Sequence, residues 1–521
     1  YLINFMTRSL GEALSLLADK GDINLPDSIS RGIEKESLRV SKDNTISSAD
    51  HPASLGSALT NKYITTDFSE ALLELITPTH SSVENALNNL NEICKFVVTE
   101  TPETIWPSSI PCKIENENSI RLADYGTSNA GLLKTLYRSG LSYRYGSMMQ
   151  TVSGIHYNFS FSDKFFESLR GNEDLQSFKN KSYLSLIRNF RRNAWMILYL
   201  FGSSPVVPKT FITDRKNFLQ ELNQDDLFLE YATCLRMSEL GYMSKAQDNL
   251  HIAYNDINEY LKDLKNALTK EHKRYGEVGT IKDGKRIQIN TSIIQIENEY
   301  YSSIRPKRVT PTGERPINVL RNEGIDYVEI RALDNNSFLP TGIDEDTSYF
   351  LEAYLIGCFF GEDKKSTENE IKELLMNWGN VVKEGRNPNL KLLKNKEKVS
   401  IKDSGMAVID SLRNIFEQMP PEMNEYVKKV FKSLDKQEEK FNNASLTPSG
   451  KIVTDLRNNN KTWEELNLEL AKQHSDSLEE IGMDLSYLSE EAQISLEKFK
   501  ELGKYSEEEF DVYLDKFVND I

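Results

Sequence analysis

Cysteine is scarce in this chain: Cys94, Cys112, Cys234 and Cys358 are the four among 521 residues, and none falls in a CxxC pair. Such scatter offers neither a zinc site nor a disulfide framework, and it suits a reducing compartment. Long apolar runs are missing too. The longest, Ala194 to Phe201, is far below the roughly 20 residues needed to cross a bilayer. The stretch Tyr1 to Gly11 lacks the basic-then-apolar order of a secretory leader. A cytoplasmic protein with no membrane partner is expected. Positive charge is also in deficit. The net charge of −16 argues against a nucleic-acid partner, which requires a basic face. It leaves ATP open, because local cations or a bound metal suffice for a triphosphate. Neither internal repeats nor low-complexity tracts occur.

What is present is a large amount of core material. Hydrophobic residues make up 39% of the chain and aromatic residues 10%, enough for one large core or two modest ones. From about Ser30 to Pro340 strand-like alternation mixes with helical periodicity. From about Asp344 onward the pattern reads as successive helices rich in Lys and Glu. Helices are expected over Ser82–Glu100, Lys181–Phe201 and Asp256–Tyr275. Strands are expected over Gly32–Val40, Leu72–Pro78, Val152–Phe161, Arg286–Glu297 and Ile325–Leu333. Lys282-Asp283-Gly284-Lys285 has the composition of a hairpin turn. Strands joined by hairpins and interrupted by helices predict an α+β fold with an antiparallel sheet. The division expected is residues 1–343 as the core and residues 344–521 as a mostly helical region packed on it.

Four segments place acids and bases on strands that are otherwise apolar. In Arg31-Gly32-Ile33-Glu34-Lys35-Glu36-Ser37-Leu38, Glu34 and Glu36 share a strand face. Like charges there repel unless a cation intervenes, and magnesium favours carboxylate oxygens. A wet edge strand explains this stretch equally simply. Glu74 lies within the apolar run Leu72 to Ile76, where a carboxylate is costly unless paired or metal-bound. Asp67 could join it only through a turn or bulge near Ser69. A helix carrying Glu70 and Glu74 on a solvated face is the competing reading. In Gly154-Ile155-His156-Tyr157-Asn158-Phe159-Ser160, His156 points away from the apolar side, beside a glycine that leaves room for a ligand. A purely structural histidine is the alternative. In Tyr327-Val328-Glu329-Ile330-Arg331, Glu329 and Arg331 share the polar face. They read either as a simple ion pair or as a metal ligand beside a guanidinium that steadies phosphoryl charge.

Arg305-Pro306-Lys307-Arg308 is a basic cluster in an acidic chain, either a solvated loop or a clamp for triphosphate. Gly279-Thr280-Ile281-Lys282-Asp283-Gly284-Lys285-Arg286 nearly matches a phosphate-binding P-loop. It lacks the hydroxyl residue that would hold magnesium, and a strand-like segment follows where a helix is required.

Together with GSALTNKYITTDFSEALLELITP, IWPSSIPC, YGTSNAGLLKTLYRSGLSYRYGSMMQTVSGIHYNFSF and QINTSIIQIENEYYSSIRPKR, these segments resemble the proteobacterial, monofunctional glutamate–cysteine ligases. The resemblance runs from about Arg31 to Ile343, with the motifs in family order. It implies a glutamine-synthetase-like curved antiparallel sheet with flanking helices. By that resemblance Glu34, Glu36, Asp67, Glu74, His156 and Glu329 would hold magnesium, with manganese able to substitute. Arg331, with Glu329, would face the reacting carboxyl and phosphoryl groups. Lys307 and Arg308 would contact ATP, the co-substrate. Tyr137, Arg138, Gln150, Arg236, Tyr242 and Tyr301 would form the glutamate and cysteine pockets, with the tyrosines and Gln150 on the cysteine side. The implied reaction joins the γ-carboxyl of L-glutamate to the amine of L-cysteine through a γ-glutamyl phosphate. A monomer is expected, and a chain of this length is too short for the form fused to a second, glutathione-forming ligase. Two rivals remain open at this level: a related ligase with another amine acceptor, and a non-catalytic nucleotide or amino-acid sensor.

Overall fold

The computed structural model describes residues 25–212, 217–241, 245–247, 250, 252–502 and 508–521. Its centre is a seven-stranded antiparallel sheet. The strands are β1 (Ile29–Val40), β2 (Ile64–Thr66), β3 (Leu72–Ile76), β4 (Thr104–Ile105), β5 (Ile155–Phe161), β6 (Ile304–Lys307) and β7 (Tyr327–Leu333). They lie in the order β6-β7-β5-β1-β3-β2, with β4 paired to the far end of β1. The long β1 is the axis. It pairs with β3 so that Glu36 opposes Glu74, and with β5 so that Glu34 opposes His156. β7 pairs with β5 so that Glu329 opposes Asn158. Because side chains alternate across a sheet, this register gathers the polar residues on one face. The α+β expectation is met.

The opposite face of β1 carries Arg31, Ile33, Lys35, Ser37 and Arg39, all buried. Helices cover it: α1 (Val83–Glu100), α4 (Glu345–Phe359) and α5 (Trp463–Glu480). Two further helices, α2 (Asn129–Tyr145) and α3 (Leu175–Arg192), flank the sheet. The start of α1 follows from its cap, because the Ser82 side chain accepts from the Asn85 N–H at 3.2 Å, satisfying an otherwise orphaned donor. α4 is buried nearly all round, as its apolar sequence dictates. Its one buried acid, Glu352, accepts from Arg31 Nε at 2.6 Å and so joins helix to sheet. A single apolar core extends from Leu25 through Leu488 without a break at residue 343.

Three expectations are corrected in detail. Lys181–Phe201 is two helices, Leu175–Arg192 and Trp195–Phe201, separated at Asn193. Asp256–Tyr275 is likewise Ile257–Thr269 and Lys273–Val278. The chain leaves the helix at Lys270 because its carbonyl accepts from the Ile293 N–H, and Glu271 bridges to Ser292. Arg286–Glu297 is not a strand beyond Arg286. Its amide side chains replace the ladder: Gln295 Oε1 accepts from the Ile289 N–H at 3.0 Å, and Gln288 Nε2 donates to the Gly279 carbonyl at 2.8 Å. The hairpin at Lys282–Lys285 is present, with Asp283 and Gly284 both at positive φ, as a type I′ turn requires. A second hairpin, Lys391–Lys394 with Glu397–Ser400, interrupts the C-terminal helices. Its turn places Asn395 and Lys396 at positive φ without a glycine. No helix among the described residues is long and apolar enough to cross a membrane.

Candidate active site

Glu34 and Glu36 rise from the same face of β1, and β5 brings His156 against them. His156 Nδ1 lies 2.9 Å from Glu34 Oε2, and Nε2 lies 3.8 Å from Glu36 Oε1. From β7, Glu329 Oε1 lies 4.0 Å from His156 Nδ1. One donor atom from each of Glu34, His156 and Glu329 falls within a 4.8 Å span. Glu74 stands across from Glu36 on β3. Asp67 joins through the reversal that links β2 to β3, where its N–H donates to the Leu72 carbonyl. The competing helix for this segment is not formed, and Glu70 is turned away. Its carboxylate accepts from the backbone N–H groups of His51 at 3.2 Å and Asp124 at 3.0 Å.

These carboxylates ionise unequally. Burial works most strongly against the charged form of Glu34, but the His156 hydrogen bond and the charges of His156 and Lys307 together hold Glu34 below the usual carboxylate range. Burial also opposes ionisation of Glu329, and Lys307, Arg331 and His156 together pull it well below that range. Burial raises Glu36. Glu74 goes well above normal, through burial first and then the charges of Glu34, Asp67 and Glu36. Acids packed this closely raise one another's pKa unless a cation stands between them.

Cations of the protein border the acids from more than one side. Arg331 Nη1 pairs with Glu329 Oε2 at 3.0 Å, and Lys307 Nζ with Glu329 Oε1 at 3.5 Å. Arg138, on α2, donates to the Asp67 carbonyl and lies 3.8 Å from its carboxylate. Arg236 is buried behind the glycine at 154. Its Nε donates to Asp334 Oδ1 at 2.7 Å, and a Cβ on Gly154 would come within 2.8 Å of the guanidinium. That close approach explains why glycine occupies the position. The Gly154 N–H in turn donates to Glu36 Oε2 at 2.7 Å. Gln150 Nε2 donates to the Tyr301 hydroxyl at 3.2 Å.

The structure therefore brings Glu34, Glu36, Asp67, Glu74, His156, Glu329, Arg331, Lys307, Tyr137, Arg138, Gln150, Arg236 and Tyr301 to one cleft of about 390 Å³. Arg308 is not among its walls. Its guanidinium turns outward to the Gly324 carbonyl at 2.7 Å and to Gln176 at 3.1 Å. Lys307 and Arg308 are neighbours on one extended segment, so they point to opposite sides. Tyr242 lies outside the described residues. All four cysteines are buried and outside any disulfide.

Asn158, next to the cleft, and Phe517, in its wall, had no role assigned from sequence. Asn158 donates to Glu34 Oε1 at 2.8 Å, while its Oδ1 is cut off from solvent and accepts nothing. Its place two residues after His156 was the signal. Phe517 comes from α6 (Phe510–Asn519), hundreds of residues from the motifs, with no local sign of a role.

A sheet face of clustered carboxylates, bordered by an arginine and a lysine, suits an enzyme that handles phosphate groups. The comparisons narrow the class. The pattern of the family described as Glutamate-cysteine ligase matches residues 14–381. A glutamate–cysteine ligase of Pseudomonas fluorescens is 40% identical over 517 residues, covering 98% of this chain and 97% of the relative. One from Pseudomonas putida is 42% identical over 483 residues, 91% of each. The crystal structure of the Francisella tularensis glutamate–cysteine ligase, in complex with AMP, superposes with a TM-score of 0.88. That protein is 36% identical, and the match covers 94% of this chain and 97% of that one. A bifunctional glutathione synthetase from Pasteurella multocida shares the fold, with a TM-score of 0.69 at 24% identity over 57% of its length. This chain belongs to the glutamate–cysteine ligase family.

Proposed function

We propose that the cleft on the polar face of the sheet carries out ATP-dependent joining of the L-glutamate γ-carboxyl to the L-cysteine amine, giving γ-glutamylcysteine, ADP and phosphate. Membership in the ligase family supports the reaction, and the binding of AMP by the Francisella relative supports nucleotide use. The observation that carries the assignment of the site is the convergence of Glu34, His156 and Glu329 within 4.8 Å, directly beside Arg331 and Lys307. Neither a simple ion pair nor a wet edge strand needs such a set, and neither a sensor nor a ligase for another amine has an observation in its favour.

The oxygen-rich donors suit magnesium, and the single imidazole is equally compatible with manganese. The raised Glu74 and Glu36 and the unsatisfied Asn158 Oδ1 fit a site completed by a cation and its water or phosphate ligands. Glu34, Glu36, Asp67, Glu74, His156 and Glu329 would hold it. When bound, the metal would neutralise phosphate charge and align the triphosphate.

The chain's own groups do the rest. A carboxylate is a poor acyl donor because oxide does not leave. Transfer of the γ-phosphoryl group to glutamate creates an acyl phosphate, and the cysteine amine then displaces phosphate to form the amide. The first step brings two anions together, so charge stabilisation is the main requirement. Arg331 and Lys307, fixed by Glu329, face that charge. Arg236, pinned by Asp334, and Arg138, beside Asp67, bring positive charge to the cleft wall that would attract amino-acid carboxylates. Tyr137, Gln150 and Tyr301 border the acceptor. Side-chain nucleophiles are not required, in keeping with the burial of every cysteine. A monomer acting in the cytoplasm completes this reading. With the exception of Phe517, all of these groups precede residue 343, which supports a catalytic core of residues 1–343 buttressed by residues 344–521.

The test is phosphate release from ATP with magnesium and glutamate, with and without cysteine, alongside mass analysis of the product. Cysteine-dependent release with γ-glutamylcysteine formed, abolished in Glu34→Gln, is the expected result. Phosphate release only with a different amine would displace the acceptor assignment. Folded protein that never consumes ATP would refute the ligase reading.

A further inference from the structure

The helix α6 joins the cleft from a region the family pattern does not reach, since that pattern ends at residue 381. Phe510, Leu514, Phe517 and Val518 recur at helical spacing and form one apolar stripe. Leu514 is buried against Leu136 and Ile289, with Phe510, Val518, Leu133, Tyr137 and Ile296 packed around them. Leu133, Tyr137, Ile289 and Ile296 also line the cleft, and so does Phe517. The packing that seats α6 is therefore continuous with the cleft wall.

Polar anchors fix the helix at this place. The fully buried Arg315 stacks its guanidinium 4.7 Å from the Phe517 ring centroid and donates to the Phe517 carbonyl at 3.2 Å. Glu297 holds Arg315 from the other side at 3.0 Å, and Glu297 adjoins Ile296 and Asn298 of the cleft wall. Arg286 pairs with Asp511 at 2.6 Å. Asn129 donates to the Glu508 carbonyl at 3.0 Å, and Asn318 to the Asp520 carbonyl at 3.0 Å. An amphipathic helix held at both ends and through its middle presents its aromatic ring in a fixed position.

We propose that α6 is the end wall of the acceptor compartment, and that Phe517 sets the size of amino-acid side chain admitted there. The inference rests on the ligase reading of the cleft. Phosphate-binding cations lie toward β6 and β7, where Lys307 and Arg331 meet Glu329. The helix that carries Phe517 packs instead on Leu133 and Tyr137 of α2, the helix whose Arg138 reaches Asp67 at the β2–β3 side. Of the three substrates, glutamate brings a carboxylate to the acids and metal, and ATP brings its triphosphate to the cations. The remaining group is a short uncharged side chain, the cysteine methylene and thiol, which suits an apolar end closed by an aromatic face.

The experiment is steady-state kinetics of Phe517→Ala, Phe517→Leu and Phe517→Tyr, with cysteine and with its longer apolar analogue norvaline as acceptors. Phe517→Ala is expected to raise KM for cysteine about tenfold, the scale of discrimination in a small apolar pocket. The preference for norvaline over cysteine should rise by a similar factor, with KM for ATP and glutamate unmoved. Phe517→Tyr restores the aromatic wall and should return the cysteine KM to near the wild-type value. If Phe517→Ala does not fold, Phe517→Leu keeps apolar volume on the helix and supports the same comparison. A rise confined to the ATP KM, or unchanged acceptor preference in a folded variant, would overturn the proposal. Wild-type protein without cysteine-dependent phosphate release would instead overturn the ligase reading, so the two failures are distinguishable.

Discussion

Glu352 is the residue whose removal should cost the fold most for a single polar change. It is completely buried, and Arg31 beside it is only 1% exposed on its side chain. Its carboxylate accepts from Arg31 Nε at 2.6 Å, the Tyr157 hydroxyl at 3.1 Å and the Tyr426 hydroxyl at 2.8 Å. Substituting Glu352→Leu leaves the guanidinium on the back of β1 with neutral partners, among them the Ile29 and His80 carbonyls. Breaking one side of a buried pair costs about 3–5 kcal/mol, because a charge is left uncompensated. The two orphaned hydroxyls add about 1 kcal/mol or more each where they cannot rotate to another acceptor. The expected loss is therefore about 4 kcal/mol at least. Urea unfolding, followed by tryptophan fluorescence, measures it. The companion variant Arg31→Met/Glu352→Leu removes both charges and should recover about 2 kcal/mol or more, since apolar replacements of buried pairs are often neutral. A loss under about 1 kcal/mol for Glu352→Leu, or a double variant no more stable than the single, would refute the reasoning.

Three further outcomes follow from the site and its supports. Magnesium with a non-hydrolysable ATP analogue should raise the melting temperature of the wild type, because the pair binds only the folded state; Glu329→Gln should abolish the rise in a thermal-shift assay. Gly154→Ala places a methyl against Arg236 and should raise an amino-acid KM about tenfold or more, given the cost of small misplacements, with little change in melting temperature. Glu84 supplies the pH dependence. Burial opposes its ionisation, but hydrogen bonds from Lys429 and Tyr349 lower its pKa to about 2. A depressed folded-state value adds stability that is complete above the ordinary carboxylate pKa of about 4.3 and fades as pH falls toward 2. Wild type should exceed Glu84→Gln by about 1 kcal/mol at neutral pH, the scale of a partly exposed pair. The difference should vanish by pH 2 in denaturation curves.

Legibility in the sequence followed physical range. Period-two alternation in β1, β5 and β7 was visible because each strand buries one face and turns the other to the cleft, so Glu34, Glu36, His156 and Glu329 stood out as polar residues among apolar ones. The hairpin joining Asp67 to Glu74 was only half visible. Their odd separation demanded a turn, but nothing local placed it. The segment after Arg286 was misread because Gln288, Asn290 and Gln295 satisfy the backbone from side chains. Amide-rich apolar sequence resembles a strand until those bonds are formed. Lys307 and Arg308 show the limit most directly, since a basic cluster carries no facing until its strand register is known. Pairing with β7 turned Lys307 inward and Arg308 out.

The same contrast accounts for the C-terminal third. The clustered acids sit within a few ångströms of one another, so their strands pair through tight register and leave a motif. A wall needs only an apolar surface at a set distance, and many helices can provide one. α6 therefore reads in sequence as an ordinary amphipathic helix, and only its anchors to Arg315, Arg286 and Asn129 tie it to the cleft. On this argument the acid-bearing strands are constrained residue by residue, whereas α6 is constrained chiefly at Leu514 and Phe517. Substitutions on its exposed face, such as Val512→Lys or Lys516→Gln, should leave both stability and acceptor preference unchanged.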